Sequence, residues 1–370
     1  LVDVHVHFRD PGFTHKEDIE TGARAAAAGG FTTVVLMANT KPAVDTKETL
    51  SYVLEKGRKT GIHVESCACI TKGLAGKELT DMKTLREAGA AGFTDDGIPI
   101  LDEALVKAAM EQAKELDVPL SFHEEDPAYI ENNGINHGKA SAYYQIGGSD
   151  RMAEISLVRR DLELALSTGA AFDVQHISAK ESVALVREAK KRAKEMGMDN
   201  IHAEATPHHF SLTEEAAIQY GTLAKMNPPL REEADRMAVI EGLADGTIDL
   251  IATDHAPHSA EEKAKPLTEA PSGIIGLETA FSLAITNLVR PGYLDLPTLF
   301  ERMSLAPAKL YHLPAGQIKE DMPADLIVFD DAAEVVYEKF ASKSSNSPFT
   351  GQKLYGRIEM TICEGKEIQK

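Results

Sequence analysis

Strand-like and helix-like segments alternate along most of this chain, and that alternation restricts its fold more than any other feature. Short apolar, β-branched runs occur at 2–7, 31–38, 63–70, 91–94, 118–123, 172–176, 201–205 and 250–253. Helical patterns fall between them, among them 17–28, 47–59, 81–88, 102–116, 151–167, 180–196 and 233–243. Gly29-Gly30 and Gly61 stand where helix C-caps belong. Eight strands, each followed by a helix and without internal repeat, indicate a parallel sheet with helical crossovers. An open doubly wound sheet usually carries a Gly-rich phosphate loop after its first strand. Here that strand runs into His7-Phe8-Arg9-Asp10-Pro11-Gly12 instead. The expected fold is therefore α/β, a (β/α)8 TIM-type barrel over residues 1–313.

After Leu313 the texture changes. Segments 324–329, 335–338 and 358–363 read as short strands separated by turn-rich stretches such as 342–351. Residues 314–370 are expected to form a small β-sandwich-like appendage, too small to be stable alone. The chain starts at Leu1 inside an apolar strand, so residues preceding Leu1 are expected to complete that appendage.

Composition narrows the function. A chain of 370 residues buries roughly three-quarters of its unfolded surface and needs no disulfide staples. With 39 basic and 58 acidic residues the net charge is −19, which counts against a nucleic-acid partner, since binding to phosphates requires a basic face. No apolar run approaches the ~18 residues of a membrane span, and no signal-peptide pattern opens the chain. Cys67, Cys69 and Cys363 are odd in number and lack framework spacing, which fits a reducing, cytoplasmic setting. Trp is absent and aromatics are 6%, so an aromatic-lined carbohydrate or base-stacking groove is not expected.

In a barrel, functional side chains stand at the C-terminal ends of the strands. His5 and His7 lie two apart on the first strand and project from one face. Asp95 and Asp96 end the fourth strand, His123 the fifth, His176 the sixth and Asp254 the eighth. Each alone would be an ordinary hydrogen-bonded rim residue. Together, four imidazoles and at least two carboxylates crowded on one rim would destabilise the fold without compensation. A pair of divalent cations compensates them. Nitrogen and oxygen donors without thiolate favour zinc, with manganese or cobalt as alternatives. Residue type does not separate Asp95 from Asp96. Cys67 and Cys69 read as small apolar packing residues.

Several motifs stand out in this frame: His5-Val6-His7-Phe8-Arg9-Asp10-Pro11-Gly12, Thr94-Asp95-Asp96-Gly97, Lys225-Met226-Asn227-Pro228-Pro229-Leu230-Arg231 and Ala252-Thr253-Asp254-His255-Ala256-Pro257-His258. With Asn346-Ser347-Pro348-Phe349-x-Gly351 near the end, they resemble the motifs of bacterial type I dihydroorotases, a branch of the cyclic amidohydrolases in the amidohydrolase superfamily. The resemblance spans essentially the whole chain. It implies reversible hydrolysis of (S)-dihydroorotate to N-carbamoyl-L-aspartate, a step of pyrimidine (UMP) synthesis. It also implies two Zn2+ per subunit. His5, His7 and Asp254 would hold one and His123 and His176 the other, with Asp96 and a hydroxide bridging them in place of the carboxylated lysine of many relatives. Asp254 would shuttle the proton. Substrate contacts carried over are His7, Phe8, Arg9, Asn39, Asn227, His258, Ser272 and Gly273. Arg9, Asn39 and His258 would bind the free carboxylate, Asn227 would face the ring, and the backbone at Ser272 and Gly273 would complete the pocket.

Ala38, Glu124 and Ser272 depart from the family pattern, where Pro, a smaller residue and Phe are usual, and the last bears on pocket packing. Thr206-Pro207-His208-His209 also matches, and its histidines read as structural because the metal set is already filled. A homodimer is implied, and aspartate transcarbamoylase is a candidate partner. A salt bridge to Asp10 or to a neighbouring loop carboxylate is the bland alternative for Arg9. Two other functions compete. A hydantoinase or allantoinase would act on a neutral ring, which gives Arg9 and Asn39 no carboxylate to bind. A non-catalytic scaffold would have lost ligands, and none is lost here.

Overall fold

The apolar, β-branched run at 2–6 becomes β1 (Val2–Val6), and all five residues are buried, as a strand covered on both faces requires. β2 (Thr33–Leu36) and β3 (His63–Ser66) join it in parallel, with Val2 opposite Thr33 and Thr33 opposite His63. A second parallel set consists of β4 (Leu120–Phe122), β5 (Phe172–Val174), β6 (Ile201–Ala205) and β7 (Leu250–Ile251). Phe93 links the two sets, pairing with Ala68 on one side and Leu120 on the other. The ring closes where Val6 pairs in parallel with His255, whose carbonyl accepts from the His7 N–H at 2.9 Å. The result, described for residues 1–368 of this computed structural model, is a (β/α)8 barrel. The fourth strand expected at 91–94 is reduced to the single bridging residue Phe93.

Helices fill the crossovers close to where the sequence places them, including Ile19–Ala28, Lys47–Gly57, Glu103–Glu115, Met152–Thr168, Lys180–Glu195 and Glu233–Asp245. Asp18 starts the first of these by accepting from the Thr21 N–H at 2.9 Å, which satisfies one of the unpaired amides of the first turn. Gly29 caps its C-terminus and Gly30 follows with φ +89°. Gly61 does not cap: the second helix ends at Gly57 with Arg58 as its cap. Phe8 leaves β1 and lies flat against the first helix, where a Cβ on Gly22 would sit 2.3 Å from its ring. Burying that ring contributes about 1.5–3 kcal/mol, and only glycine allows the close approach.

The C-terminal segment forms an antiparallel sheet of β8 (Leu326–Val336), β9 (Lys353–Cys363) and β10 (Lys366–Glu367), in the order β10-β9-β8. The separate strands expected at 324–329 and 335–338 are one strand, β8, broken by register shifts at Val328/Phe329 and Asp330/Glu334. Among the described residues it is a single sheet laid on the barrel helices, not two sheets facing each other. Phe329 packs edge-on to Phe281 at 5.3 Å, and the Thr361 hydroxyl donates to the Ala27 carbonyl at 2.7 Å. Among the described residues, no helix is long and apolar enough to cross a membrane.

Candidate active site

The strand ends deliver their side chains to one point. His5 is fully buried, and its Nδ1–H donates to Glu204 Oε2 on β6 at 2.8 Å. That bond leaves the Nε2 lone pair aimed inward, 3.5 Å from Asp96 Oδ1 and 3.6 Å from Asp254 Oδ1, with no hydrogen-bond partner. A buried, unpartnered nitrogen between two carboxylates is costly by itself and fits a cation ligand. Burial works against charge on His5, yet Glu204 and Asp96 raise its pKa well above the usual imidazole range. A bound cation would supply that positive charge in place of the second proton.

His7 repeats the pattern. Its Nδ1–H donates to Asn39 Oδ1 at 3.0 Å, and its Nε2 lies 3.0 Å from Asp254 Oδ1 and 3.4 Å from Asp96 Oδ2. Burial and the nearby Arg9 charge lower its pKa, so the ring presents an Nε2 lone pair on the same side as those carboxylates, as ligands around a shared cation would. His123 Nε2–H donates to Glu125 Oε2 at 3.1 Å, leaving Nδ1 3.0 Å from His176 Nε2 and 3.8 Å from Asp96 Oδ1. His176 Nε2 is likewise 3.8 Å from Asp96 Oδ1. Asp96 thus faces all four imidazoles, Oδ1 toward His5, His123 and His176 and Oδ2 toward His7. At this end of the barrel, donor atoms within 4.8 Å of one another fall into the groups His5–Asp96–His176 and His5–His7–Asp254.

Asp95, indistinguishable by residue type, is turned away: its carboxylate accepts from the amides of Ile70 at 2.8 Å and Thr71 at 3.0 Å and from the Thr71 hydroxyl. Burial pushes its pKa up to about 6. For Asp96 and Asp254 burial also acts upward, but the surrounding imidazoles outweigh it and hold both below the ordinary carboxylate range. Arg9, His176 and Asp254 adopt φ of +59°, +33° and +46°. Such backbone costs about 1–3 kcal/mol per residue and concentrates where side-chain placement matters more than stability.

A cavity of about 240 Å³ opens over this cluster. His7, Asp96, His123, His176 and Asp254 line it together with Arg9, Asn39, Asn227, His258, Ser272 and Gly273. Phe8 does not: its side chain packs against Gly22 and edge-on to His255 at 6.3 Å. Arg9 Nε donates to the Pro257 carbonyl at 3.3 Å, and among the described residues it forms no ion pair with a carboxylate. The neighbouring Asp10 is instead held by Lys56 at 2.6 Å and Tyr52 at 2.9 Å, which removes the bland reading of Arg9. His258 stands 3.4 Å from both Arg9 Nη2 and Lys16 Nζ, and burial followed by the Arg9 charge keeps its ring neutral. Gly273 has φ +149°, and a Cβ there would meet the Ala256 carbonyl and the His258 ring at 2.7 Å, so glycine is required for this wall.

Several contributors escaped the sequence reading. Glu204 orients His5, and Asn133 lines the cavity and accepts from the Ser272 hydroxyl at 3.2 Å. Asn346, noted only as part of a motif, accepts from the His258 amide and donates to the carbonyls of Ala256 and Gly273, each at 3.0 Å. Lys225 Nζ donates to Leu267 O and Ala270 O, and Lys263 Nζ to Pro271 O and Gly273 O, so the C-terminal part of the polar segment 257–273 is tied down. One signal for Glu204 was present: a carboxylate in a strand that a barrel buries on both faces. His209 is structural, bonded to Thr206 Oγ1 at 2.8 Å and the Pro228 carbonyl at 3.1 Å, whereas buried His208 Nε2 has no partner.

Glu204→Gln should weaken divalent-metal affinity about 10–100-fold, the usual effect of losing the group that orients a ligating imidazole. Chelator competition measures this, and an unchanged affinity would remove Glu204 from that role.

The fold and the donor cluster define a metal-site (β/α)8 hydrolase of the cyclic amidohydrolase kind. Solved structures with this fold include an L-hydantoinase (dihydropyrimidinase) from Arthrobacter aurescens, with TM-score 0.88 and 24% identity over 100% of this chain and 84% of that one. A D-hydantoinase matches with TM-score 0.84 and 22% identity over the same shares. At the sequence level, the family described as Dihydro-orotase-like matches residues 1–182. Proteins named Dihydroorotase from Clostridioides difficile (strain 630) and Clostridium acetobutylicum are 56% and 54% identical over 100% of this chain and 86% of their own length. The Dihydroorotase of Streptococcus pneumoniae serotype 4 is 51% identical over the same shares. The chain belongs to the dihydroorotase family.

Proposed function

We propose that the protein catalyses the reversible hydrolysis of (S)-dihydroorotate to N-carbamoyl-L-aspartate in pyrimidine synthesis, with two zinc ions at the barrel mouth. The observation that carries this reading is Arg9, a guanidinium with no ion pair to a carboxylate among the described residues, lining the same cavity as His7, Asp96 and Asp254. His5, His7 and Asp254 would hold one cation and His123 and His176 the other, with Asp96 between them. When bound, such cations bring water to a pKa of about 7 and polarise a carbonyl, which an unactivated cyclic amide needs.

The chain's own groups do the rest. Arg9 forks onto the substrate carboxylate through two parallel N–H bonds, flanked by Asn39 and neutral His258. Asn227 faces the ring, and the backbone at Ser272 and Gly273 closes the opposite side. Asp254 takes the proton released as water adds to the ring carbonyl, then delivers it to the ring nitrogen as the C–N bond breaks. Its pKa, held low by the imidazoles, keeps it ready to accept. A hydantoinase shares the fold, but its neutral ring would leave the Arg9 charge buried without a partner, at a cost of several kcal/mol.

The same reading divides the chain into a barrel, 1–313, and an appendage, 314–370, and places the enzyme in the cytoplasm as a homodimer open to association with aspartate transcarbamoylase. Three free, buried thiols agree with a reducing compartment. Sedimentation with and without the transcarbamoylase tests the assembly.

Dihydroorotate hydrolysis should disappear on chelation and return with zinc, in samples whose zinc content is measured in parallel. Zinc-loaded protein that is inert towards dihydroorotate but turns over hydantoins would overturn the substrate assignment.

A further inference from the structure

A second cluster of metal-type donors lies at the other end of the barrel. His63 opens β3, whereas the groups of the active site follow strand C-termini. Asp325 immediately precedes β8, and Cys363 ends β9. One donor atom from each of these three side chains lies within 4.8 Å of the other two. His63 Nε2 is 3.1 Å from Asp325 Oδ2, yet both atoms are buried and neither has a hydrogen-bond partner. An ordinary His–Asp ion pair would align the ring N–H with the carboxylate; here the two atoms are close but misdirected, as two ligands of a common ion would be. The carboxylate is fixed in this pose because its Oδ1 accepts from the Glu364 amide at 2.8 Å. The buried Cys363 thiol faces Asp325 and donates to the Thr32 carbonyl only at 3.9 Å, too long for a strong bond. A cavity of about 310 Å³, lined by Arg58, His63, Glu65, Cys363 and Glu364 among others, opens onto the cluster and gives water and ions a route in.

We propose that His63, Asp325 and Cys363 form a binding site for a zinc-class divalent cation that clamps the C-terminal sheet to β3, with water from the cavity as fourth ligand. The donor set selects the ion. Thiolate with imidazole suits zinc or cobalt and disfavours magnesium and calcium, which take oxygen ligands. As the metal–sulfur bond forms, the thiol releases its proton to solvent. A thiolate and a carboxylate then balance a dication beside a neutral imidazole. Tying one ligand on the barrel to two on the small sheet converts metal affinity into docking of that sheet.

Cobalt(II) tests this separately from the catalytic reading, because the donors at the barrel mouth are nitrogen and oxygen only. The full chain, stripped with chelator and titrated with cobalt(II) until all sites are filled, should develop a near-ultraviolet thiolate-to-cobalt charge-transfer band whose final amplitude corresponds to one thiolate-bound cobalt per chain. Cys363→Ser should abolish the band, while Cys67→Ala keeps it. His63→Gln, at a partly buried side chain, should weaken cobalt binding at this site about tenfold or more. Absence of the band in the wild-type chain, its survival in Cys363→Ser, or unchanged affinity in His63→Gln would overturn the proposal.

Discussion

Asp254→Ala should lower kcat for dihydroorotate hydrolysis on the order of 10²–10⁴-fold, the range supplied by a positioned general acid–base group. The carboxylate sits where the reaction needs a proton carrier, 3.0 Å from His7 Nε2 and on the wall of the substrate cavity. Its backbone is held in the left-handed region at φ +46°, which directs the side chain inward. Because Asp254 is also read as a ligand, metal must be counted in the same sample. Five donors remain after the change (His5, His7, Asp96, His123 and His176), so the metal content should hold while turnover falls. Asp254→Asn keeps the shape and one oxygen but cannot take up the proton, and should fall nearly as far. An alanine variant that keeps its rate, or one whose loss tracks missing metal and is rescued by adding it, would take the proton-transfer role away from Asp254.

Arg9→Leu should raise KM for dihydroorotate by at least about 10²-fold. Two hydrogen bonds to a charged group contribute roughly 1.5–3 kcal/mol each, and every 1.4 kcal/mol is about tenfold in affinity. Arg9→Lys, a point charge without the planar fork, should fall between the two. Both variants are non-glycine residues at φ +59°, so the backbone cost at this position is common to all three proteins. The effect should be confined to ligands with a carboxylate. Hydantoin, which has none, should bind the Leu variant no worse than the parent. Equal losses for both ligands would mean that Arg9 shapes the loop through its bond to Pro257 and does not read the substrate.

Much of this was legible in the chain. Periodicity located the barrel because strands buried on both faces must be apolar and crossovers must be helical. The titratable residues followed from one geometric rule, that functional side chains stand at strand C-termini. The errors cluster where local pattern is silent. Segment 91–94 has the composition of a strand but contributes one pairing residue, Phe93, since ladder length depends on neighbours that are remote in sequence. Gly61 looked like a helix cap although its helix stops at Gly57, and helix ends are set by capping bonds that sequence shows only in part.

Residue types, their order and their spacing were thus enough to determine the class of fold, to bring His5, His7, His123, His176 and Asp254 forward as candidate donors, and to carry the resemblance that joins them to one chemistry. The tertiary structure alone decided direction and partnership. It turned Asp95 toward the Ile70 and Thr71 amides and Asp96 toward the imidazoles, a choice between adjacent residues that composition cannot make. It brought Glu204 to His5 across 199 residues of chain and Asn346 to the loops of the pocket. Such contacts follow from chain closure and from the requirement that every buried polar group find a partner, conditions that only the complete three-dimensional packing can satisfy.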